Sequence, residues 1–372
     1  MLFLLSVFHL IIFILMQQRI IHICHTCGGG TQKYIDDLIK LYPEYNHIIY
    51  NNIPFTVENA DKDIKLLHIH GAFFASNIEW NILEIIDQFK IFGIPVYLTI
   101  HDGQWLFDNL PFYTYDKDAE YLEYYETHNK ERTLLLFDKV DKIFMPSEGV
   151  YQFYMNYIKL KGYDTRKIHI IAHPDVLIRN EQLYIPYINK NDNRQVINIA
   201  FIGTFNEYKG ARLFLELIYN VKQCKHGNND DDALYKIEYH IFGKHTPSES
   251  DELLKSYVHF HGSYKENELI EKLYEQNIHI VMALSIVQET YCYALSHMIN
   301  SGLPIIYYNH GSFKTRLNNE CVRMFAFNKP DELVKTLEKA IGYVIENQGR
   351  RDLIEMGKDV ELNEGYNRLY LQ

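Results

Sequence analysis

The chain has no excess of positive charge. Its 372 residues include 37 Lys and Arg against 48 Asp and Glu, which gives a formal net charge of −11 at pH 7. A protein that binds duplex nucleic acid gains affinity by neutralising phosphates with Lys and Arg. The composition therefore argues against a nucleic-acid partner.

Cysteine is scarce as well, with five residues at positions 24, 27, 224, 292 and 321. An odd and scattered set is not the disulfide framework of a small secreted domain. Cys24 and Cys27 form a C-x-x-C pair, but no second Cys or His pair lies nearby at the spacing of a zinc site. We therefore expect two buried thiols at a strand end, and no metal.

The N-terminal apolar run, residues 1–16, is shorter than the roughly 20 residues that a membrane-spanning helix needs. It also lacks the basic start and the small-residue cleavage site of a signal peptide. Three interpretations of this extension stay open: a signal anchor, a helix lying on a membrane surface, or a true start at Met16. We expect a cytoplasmic protein, either free or associated with a membrane.

A basic segment near the middle of the N-terminal half is a second candidate for peripheral membrane contact. Its four basic residues lie close in sequence to Tyr154 and Tyr157 and are Lys159, Lys161, Arg166 and Lys167. We favour an ordinary solvated face over a membrane contact.

Short apolar, β-branched runs alternate with longer segments of helical period, which is typical of α/β domains with parallel sheets. In the first half the predicted strands are Ile20–Cys24, His47–Tyr50, Leu66–His70, Val96–Ile100, Lys142–Met145 and Ile168–Ile171. The predicted helices include Gln32–Leu41, Ile78–Phe92 and Val150–Lys161. No internal repeat of solenoid length is present.

The alternation stops in a polar, turn-rich segment and then restarts. The strands predicted after it are Val196–Ile202, Ile237–Phe242, Val258–His261, Ile278–Ala283 and Pro304–Tyr308. The helices predicted among them are Ala211–Gln223, Glu266–Gln276 and Thr290–Asn300.

The pattern predicts two Rossmann-like domains, an N-terminal domain over residues 19–178 and a C-terminal domain over 196–349. An extension over 1–18 precedes them, a linker over 179–195 joins them, and a C-terminal helix over 350–372 is expected to pack on the N-terminal domain. Ligands of such folds bind at the carboxyl ends of the strands, where the strand order reverses. We therefore expect the ligand in a cleft between the two sheets.

Candidate residues in the first domain follow the predicted strands. Three glycines, Gly28, Gly29 and Gly30, separate the first strand from a helix, where main-chain N–H groups can approach an anion. His101 and Asp102 end the fourth strand and are expected to face the cleft. His68 and His70 share one face of the third strand, and we favour structural or ligand-lining roles over metal binding.

In the second domain the candidates are Lys209, at the start of a helix, and a segment from Glu289 to His297. A Lys at this place is well situated to bind phosphate. If residues 289–297 form one helix, Glu289 and His297 lie about 12 Å apart along one stripe. The two D-x-D patterns, Asp61–Asp63 and Asp116–Asp118, do not directly follow predicted strands, so neither is expected to hold a divalent ion.

Taken together, these segments make the sequence resemble glycosyltransferase family 4, the retaining group also called group 1, over nearly all of residues 19–372. The resemblance rests on the order and spacing of the segments CGGGTQKY, YLTIHDGQW, IFMPSEGV, IAFIGTFNEYKGARLFLEL, VHFHGSY, ETYCYALSH and GLPII. It implies a GT-B fold, which has two Rossmann-like domains with parallel sheets facing across a cleft. It also implies a nucleotide-sugar donor as substrate and no cofactor.

The resemblance further implies a role for each matching residue. Glu289 and His101 are the implied catalytic residues, both at the donor sugar. Implied donor-binding residues are Gly29, Gly30, Gly203, Lys209, Gly262, Thr290 and His297. Two positions depart from the family pattern: Thr204 stands where a basic residue is common, and His297 replaces a second Glu.

We therefore expect a hexosyltransferase that acts on a glycan, a lipid-linked molecule or another hydroxyl acceptor and retains the anomeric configuration. Two alternatives stay open. One is a nucleotide-sugar epimerase with the same fold, and the other is a non-catalytic descendant that binds sugar nucleotides.

Overall fold

A computed structural model describes residues 18–24, 29–51, 63–71, 82–107, 123, 125–158, 165–174, 185–191, 194–226, 235–244, 257–317, 323–349 and 370. The chain divides into two compact units. Unit 1 comprises Met1–Asp175 with Val360–Gln372, and unit 2 comprises Val176–Asp359. The predicted extension lies outside the described residues except for Gln18, and so does the predicted C-terminal helix except for Tyr370.

Unit 1 contains a parallel sheet whose described strands follow the order β2-β1-β3-β4-β5-β6. The strands are β1 (Arg19–Cys24), β2 (Asn46–Asn51), β3 (Ile64–Ile69), β4 (Val96–Thr99), β5 (Lys142–Met145) and β6 (Ile168–Ile170). All six were predicted, with ends that differ by at most two residues.

The helices of unit 1 connect these strands. They are α1 (Gly29–Leu41), α2 (Ile82–Ile91), α3 (Gln104–Phe107), α4 (Lys130–Lys139) and α5 (Glu148–Ile158), with a π-helical turn over Tyr125–Asn129 and a 3-10 turn over Thr165–Lys167. The central strands are buried on both faces, as Ile21, Leu67 and Leu98 show. A parallel sheet covered by helices requires such apolar strands.

Unit 2 contains a second parallel sheet, in the described order β10-β9-β8-β11-β12-β13, with a short antiparallel strand β7 beside β8. The strands are β7 (Lys190–Asn191), β8 (Arg194–Ile202), β9 (Tyr235–Phe242), β10 (Val258–Gly262), β11 (Ile278–Ala283), β12 (Ile305–Tyr308) and β13 (Met324–Phe327). The segment predicted as a linker thus contains β7 and the start of β8.

The helices of unit 2 are α6 (Ala211–His226), α7 (Leu269–Glu275), α8 (Tyr293–Ser301), α9 (Gly311–Arg316) and α10 (Leu333–Asn347), with 3-10 turns over Glu266–Glu268 and Pro330–Glu332. Apolar side chains of α6 and α10, among them Phe214 and Leu337, pack against one face of the sheet. Leu295 and Met298 of α8 pack in a second hydrophobic core together with strand residues such as Val281.

Among the described strands, each sheet has one switch point, at which successive strands stop adding to one side of the first strand and begin to add to its other side. In unit 1 the first crossover leads from β1 outward to β2 and the chain then returns to β3 on the other side of β1. In unit 2 the same occurs between β8 and β11. Loops leave such a switch point in opposite directions and open a crevice, which is where ligands of doubly wound sheets bind.

Candidate functional site

An ion pair joins the two loops that leave the switch point of unit 2. Lys209 lies in the turn after β8, Glu289 lies in the loop after β11, and the Nζ atom of Lys209 contacts Oε1 of Glu289. The carboxylate is 11% exposed and the ammonium 31%. Burial alone would lower the pKa of Lys209, but the negative charge and the hydrogen bond of Glu289 outweigh it and leave that pKa raised.

The two loops are also held together through their main chains. Ile286 donates its N–H to the carbonyl oxygen of Tyr208 at 3.0 Å, and the hydroxyl of Ser285 donates to the same oxygen at 3.1 Å. At Gly210, where φ is +87°, a Cβ atom would lie 2.0 Å from the carbonyl oxygen of Leu284. Only glycine permits this approach, which fixes the spacing between Lys209 and the loop after β11.

The loop that carries Glu289 differs from the prediction. Helix α8 begins at Tyr293, and Cys292 before it has a left-handed main chain with φ of 64°. Glu289 therefore precedes the helix by four residues, and the predicted helical stripe from Glu289 to His297 is wrong. Instead, the N–H of Ser312, at the start of α9, binds the carbonyl oxygen of Glu289 at 2.9 Å.

Arg316, at the end of α9, binds the part of this loop that follows Glu289. Its Nη1 atom donates to the carbonyl oxygens of Tyr291 at 2.7 Å and Cys292 at 3.0 Å, and Nη2 donates to the hydroxyl of Ser296 at 2.7 Å. The guanidinium also lies over the ring of Tyr291, 3.9 Å from its centre. Sequence reasoning missed Arg316, because no local pattern links it to a loop more than twenty residues earlier.

Glycines follow three neighbouring strands of the same sheet. Gly203 comes after β8, Gly243 after β9, and Gly262 ends β10, all with positive φ. A Cβ atom on Gly243 would lie 1.8 Å from the carbonyl oxygen of Gly203. These strand ends, which we call the glycine edge, thus present main chain rather than side chains, with Gly203 partly exposed, Gly262 exposed and Gly243 buried. The structure places two predicted donor-binding residues, Gly203 and Gly262, at this edge.

Thr290 and His297 complete the predicted set in unit 2. Thr290 lies in the loop next to Glu289, and His297 lies inside α8; both are partly buried. In unit 1, Gly29 and Gly30 form the exposed first turn of α1, with φ of 60° at Gly29. Gly28 lies outside the described residues.

The switch point of unit 1 is filled by histidines. His22 of β1 lies between His47 of β2 and His70 at the end of β3, with ring nitrogens 2.9 Å apart on each side. Nδ1 of His70 is 3.3 Å from Nε2 of His101, which follows β4. Sequence reasoning found His70 and His101 but missed His22 and His47, because nothing in the sequence shows which strands are neighbours.

A second branch of the network starts at His68. Its Nδ1 atom lies 2.6 Å from the hydroxyl of Tyr370, and its Nε2 atom 2.7 Å from the hydroxyl of Thr99. Thr99 also contacts the hydroxyl of Tyr34 at 3.1 Å. Tyr370, from the end of the chain, stacks on Tyr42 with ring centres 5.0 Å apart.

Burial keeps these rings neutral. It lowers the pKa of His22 and of His101 to about 3, and holds the pKa of His68 and His70 well below the usual value. The nearest ring nitrogens of His22, His68 and His70 lie within 4.8 Å of one another, a spacing that could suit a metal ion. Each of these rings, however, already hydrogen-bonds through both nitrogens.

The structure tests one part of the membrane hypothesis, the two tyrosines beside the basic segment. Tyr154 and Tyr157 are 0% and 6% exposed, and the hydroxyl of Tyr154 binds the carbonyl oxygen of Asp102. Neither ring can therefore enter a membrane surface. Lys159 and Lys161 lie outside the described residues. Among the residues that the structure describes, no helix is long and apolar enough to cross a bilayer.

Comparison with known proteins agrees with this architecture. Residues 197–345 match the family model described as Glycosyl transferases group 1. The chain carries a glycosyltransferase domain. Lys209, Glu289, Arg316 and the glycine edge all lie inside this domain. No curated protein matches the chain in sequence.

Solved structures show the same fold at low sequence identity. Alr3699/HepE of Anabaena, in complex with UDP and glucose, is 11% identical with a TM-score of 0.56, over 89% of this chain and 92% of that one. A glycosyltransferase of Rickettsia africae is 13% identical with a TM-score of 0.55, over 88% and 89%. The trehalose-6-phosphate synthase OtsA is 10% identical with a TM-score of 0.54, over 94% and 96%. These matches confirm the predicted GT-B fold.

Proposed function

We propose that the chain transfers a hexose from a nucleotide-sugar donor to a hydroxyl group of a glycan or lipid-linked acceptor, with retention at the anomeric carbon. The observation that carries this proposal is the Lys209–Glu289 ion pair at the switch point of the glycosyltransferase domain. A cation and a carboxylate side by side match the two parts of such a donor, its diphosphate and its sugar. The structure of Alr3699/HepE with UDP and glucose supports this choice of donor.

On the phosphate side, we assign Lys209 to the diphosphate. When the bond to the anomeric carbon breaks, negative charge develops on the leaving nucleoside diphosphate, and a fixed cation stabilises it. The raised pKa keeps Lys209 charged at neutral pH. The glycine edge at Gly203 and Gly262 gives phosphate and base access to the main chain, and the start of α8 adds a favourable dipole. Lys209 thus supplies the charge for transfer without a metal ion.

On the sugar side, we assign Glu289 to the sugar hydroxyls. A carboxylate offers two acceptor oxygens and orients a sugar without acting as its nucleophile. Arg316 and the N–H of Ser312 hold the main chain of this loop, so the carboxylate is positioned before substrate arrives. Thr290 joins Glu289, and His297 is assigned to the ribose. From unit 1 we assign His101 to the sugar and Gly29 with Gly30 to the phosphates.

The proposal is tested with a thermal-shift panel of nucleoside diphosphates and nucleotide-sugars, followed by a transfer assay with the donor that binds. One nucleotide class should raise Tm, because a ligand that binds the folded state stabilises it. NMR of the product should show the donor's anomeric configuration. Isomerisation of the donor without acceptor would indicate an epimerase. Binding without transfer or hydrolysis would indicate a non-catalytic protein.

A Lys209→Ala variant tests the ion pair itself. We expect it to weaken nucleoside diphosphate binding by about 1–3 kcal/mol, the usual loss for a charge-assisted contact. Lys236→Ala is the matched control, because Lys236 also pairs with a glutamate, Glu238, on the same sheet. Equal affinities of the two variants in calorimetry would place the phosphate site elsewhere.

A further inference from the structure

A cluster of polar side chains lies on one face of the sheet of unit 2, at its edge. Glu238 and His240 belong to β9, His259 and His261 belong to β10, and β10 ends the described strand order. Side chains two residues apart along a strand share a face, and His259 pairs in register with His240. The opposite face of β9, with Tyr239, packs in the hydrophobic core that includes α6 and α10.

Three of these side chains offer ligand atoms to a common point. A carboxylate oxygen of Glu238 and one ring nitrogen each of His240 and His259 lie within 4.8 Å of one another. Nε2 of His259 is 3.7 Å from Oε2 of Glu238. Ligand atoms at roughly 2.0–2.2 Å from one zinc ion are about 3–4 Å apart. The side chain of His259 is 57% exposed, so it is free to turn and close the remaining distance.

One ring nitrogen of His240 is buried without a partner. The residue is 4% exposed, and its Nδ1 atom is 3.0 Å from Nε2 of His261, whereas its Nε2 atom has no hydrogen-bond partner among the described residues. A buried polar atom left unpaired costs free energy, and such atoms are rare in folded proteins. Because His261 already engages Nδ1, Nε2 is the nitrogen that remains for an ion.

The contact with His261 is also the one that a metal-binding histidine needs. A histidine that binds a metal through one nitrogen usually donates the hydrogen of the other nitrogen to an acceptor, which fixes the ring and its tautomer. If Nδ1 of His240 donates to Nε2 of His261, Nε2 of His240 carries a bare lone pair. That is the state in which imidazole coordinates a metal.

Glu238 can bind an ion without losing its present partner. Its Oε1 atom accepts from Nζ of Lys236 at 2.8 Å, and its other oxygen, Oε2, faces His259. The carboxylate therefore has one oxygen left for a ligand bond. Sequence reasoning missed this cluster, because nothing in the sequence shows that β9 and β10 are neighbours.

The histidine cluster of unit 1 does not offer the same opening. His22, His68 and His70 also lie within 4.8 Å of one another, but each hydrogen-bonds through both ring nitrogens. An ion there would have to displace bonds that are already made. In the cluster of unit 2 an ion would instead satisfy the unpaired nitrogen of His240.

We propose that Glu238, His240 and His259 bind one divalent transition-metal ion, and that this ion fastens the edge strand β10 to β9. Two imidazoles and a carboxylate suit Zn²⁺, whereas Mg²⁺ and Ca²⁺ prefer oxygen ligands throughout. Three protein ligands leave the fourth position to water on the exposed side, near His259. The ion has a structural role, and the proposal does not depend on the sugar transfer proposed above.

The test uses the full-length protein after treatment with EDTA and dialysis, with Zn²⁺ alone as the probe. Calorimetry should show a binding step that His259→Gln and Glu238→Gln each weaken by about a hundredfold or more, because loss of an outer partner alone costs about tenfold to a hundredfold. Both side chains are partly exposed, so both variants should fold as wild type does.

Thermal unfolding provides a second readout. Zn²⁺ at a hundredfold excess over its Kd should raise the Tm of wild type by about 5 °C or more, because it binds the folded state. It should leave the Tm of His259→Gln and Glu238→Gln unchanged. Without Zn²⁺ all three proteins should melt within a few degrees of one another.

His169→Gln is the matched control, because His169 is a partly buried histidine on β6, which ends the described strand order of unit 1. It should bind Zn²⁺ as wild type does, and so should His22→Gln, which alters the other cluster. His261→Phe keeps a ring against Phe242 but removes the bond to His240, and should weaken Zn²⁺ binding about tenfold. Mg²⁺ in millimolar excess should not compete.

Three outcomes would overturn the proposal. One is that wild type does not bind Zn²⁺. Another is equal Zn²⁺ affinity in His259→Gln and His169→Gln, which would place the ion elsewhere. The third is loss of binding in His22→Gln with binding kept in Glu238→Gln, which would assign the ion to unit 1. None of these measurements uses a nucleotide or a sugar, so their failure is distinct from a failure to find sugar transfer.

Discussion

At the scale of single residues, the proposed donor site contains two opposite charges, Lys209 and Glu289, that are each partly withdrawn from water. A lone buried charge is costly, and removal of one partner leaves the other uncompensated. Lys209 and Glu289 avoid this cost in the absence of substrate by contacting each other. If a diphosphate binds Lys209 as proposed, it supplies a new negative partner, and Glu289 is then expected to become available to the sugar hydroxyls.

Glu289→Ala is expected to reduce transfer by about a hundredfold or more, the usual cost of losing a preorganised electrostatic contact. Tm should change by only a few degrees, because Lys209, the partner left behind, is 31% exposed to water, and Glu289 belongs to neither hydrophobic core of unit 2. The comparison variant is Lys236→Ala, which breaks the surface pair with Glu238. Wild-type activity in Glu289→Ala would remove Glu289 from the site.

One substitution at His297 should change donor binding without changing the rate of the chemical step. In the resembled family a second Glu stands here and accepts hydrogen bonds from ribose hydroxyls; a neutral imidazole keeps only part of this pairing. His297→Glu is expected to lower KM for the donor, by about 1.5–3 kcal/mol of binding, with kcat little changed. A collapse of kcat in steady-state kinetics would instead give His297 a role in the chemical step.

At the scale of elements, most strands were predictable, and the loops between them were not. Strands β7 and β13 are the described strands that were not predicted. The sequence predicted β5 and β11 with both ends correct, because a strand buried on both faces is a nearly continuous run of apolar residues. Helix α8 was placed three residues early. The sequence Glu289-Thr290-Tyr291-Cys292 has no Gly or Pro to stop a helix, and it is the left-handed main chain of Cys292 that delays the start.

The site depends on contacts between elements that are remote in sequence, which local patterns do not contain. Lys209 and Glu289 were each candidates from the sequence, with roles implied by the family resemblance, but their pairing is visible only in the structure. Arg316 is a further example, since its importance comes from packing α9 against the loop before α8. The histidine network of unit 1 likewise depends on the order β2-β1-β3, which places His47, His22 and His70 side by side.

The close approach of the loops after β8 and β11 gives a prediction about stability. Gly210→Ala should destabilise unit 2 by about 2–4 kcal/mol, because the Cβ would lie 2.0 Å from a main-chain oxygen and φ is +87°. Gly342→Ala is the control. Gly342 lies within α10 with open space around it, so alanine should stabilise by about 0.5–1 kcal/mol. Equal melting temperatures in calorimetry would contradict the close approach.

At the scale of the whole molecule, the two units share a sensitivity to acid. Burial lowers the pKa of His22 and His101 in unit 1 to about 3, that of His240 in unit 2 to about 3, and those of His279 and His310 to about 4. In the unfolded chain these rings have the ordinary pKa near 6.5. Between these values the unfolded state takes up protons that the folded state cannot bind.

Stability is therefore fully present above pH 6.5 and is expected to fall as the pH decreases toward 4, by up to about 1.4 kcal/mol per pH unit for each such ring. Carboxylates titrate mainly below about pH 4.5, so the loss of stability between pH 6.5 and 5.5 reports on the histidines alone.

Urea unfolding at pH 7.5, 6.5 and 5.5 measures this loss in the free energy of unfolding. His22→Gln removes one proton-binding group and should make the decrease shallower. A free energy of unfolding that stays constant over this range would mean that the buried rings can take up protons in the folded protein, which would contradict the neutral histidine network of unit 1.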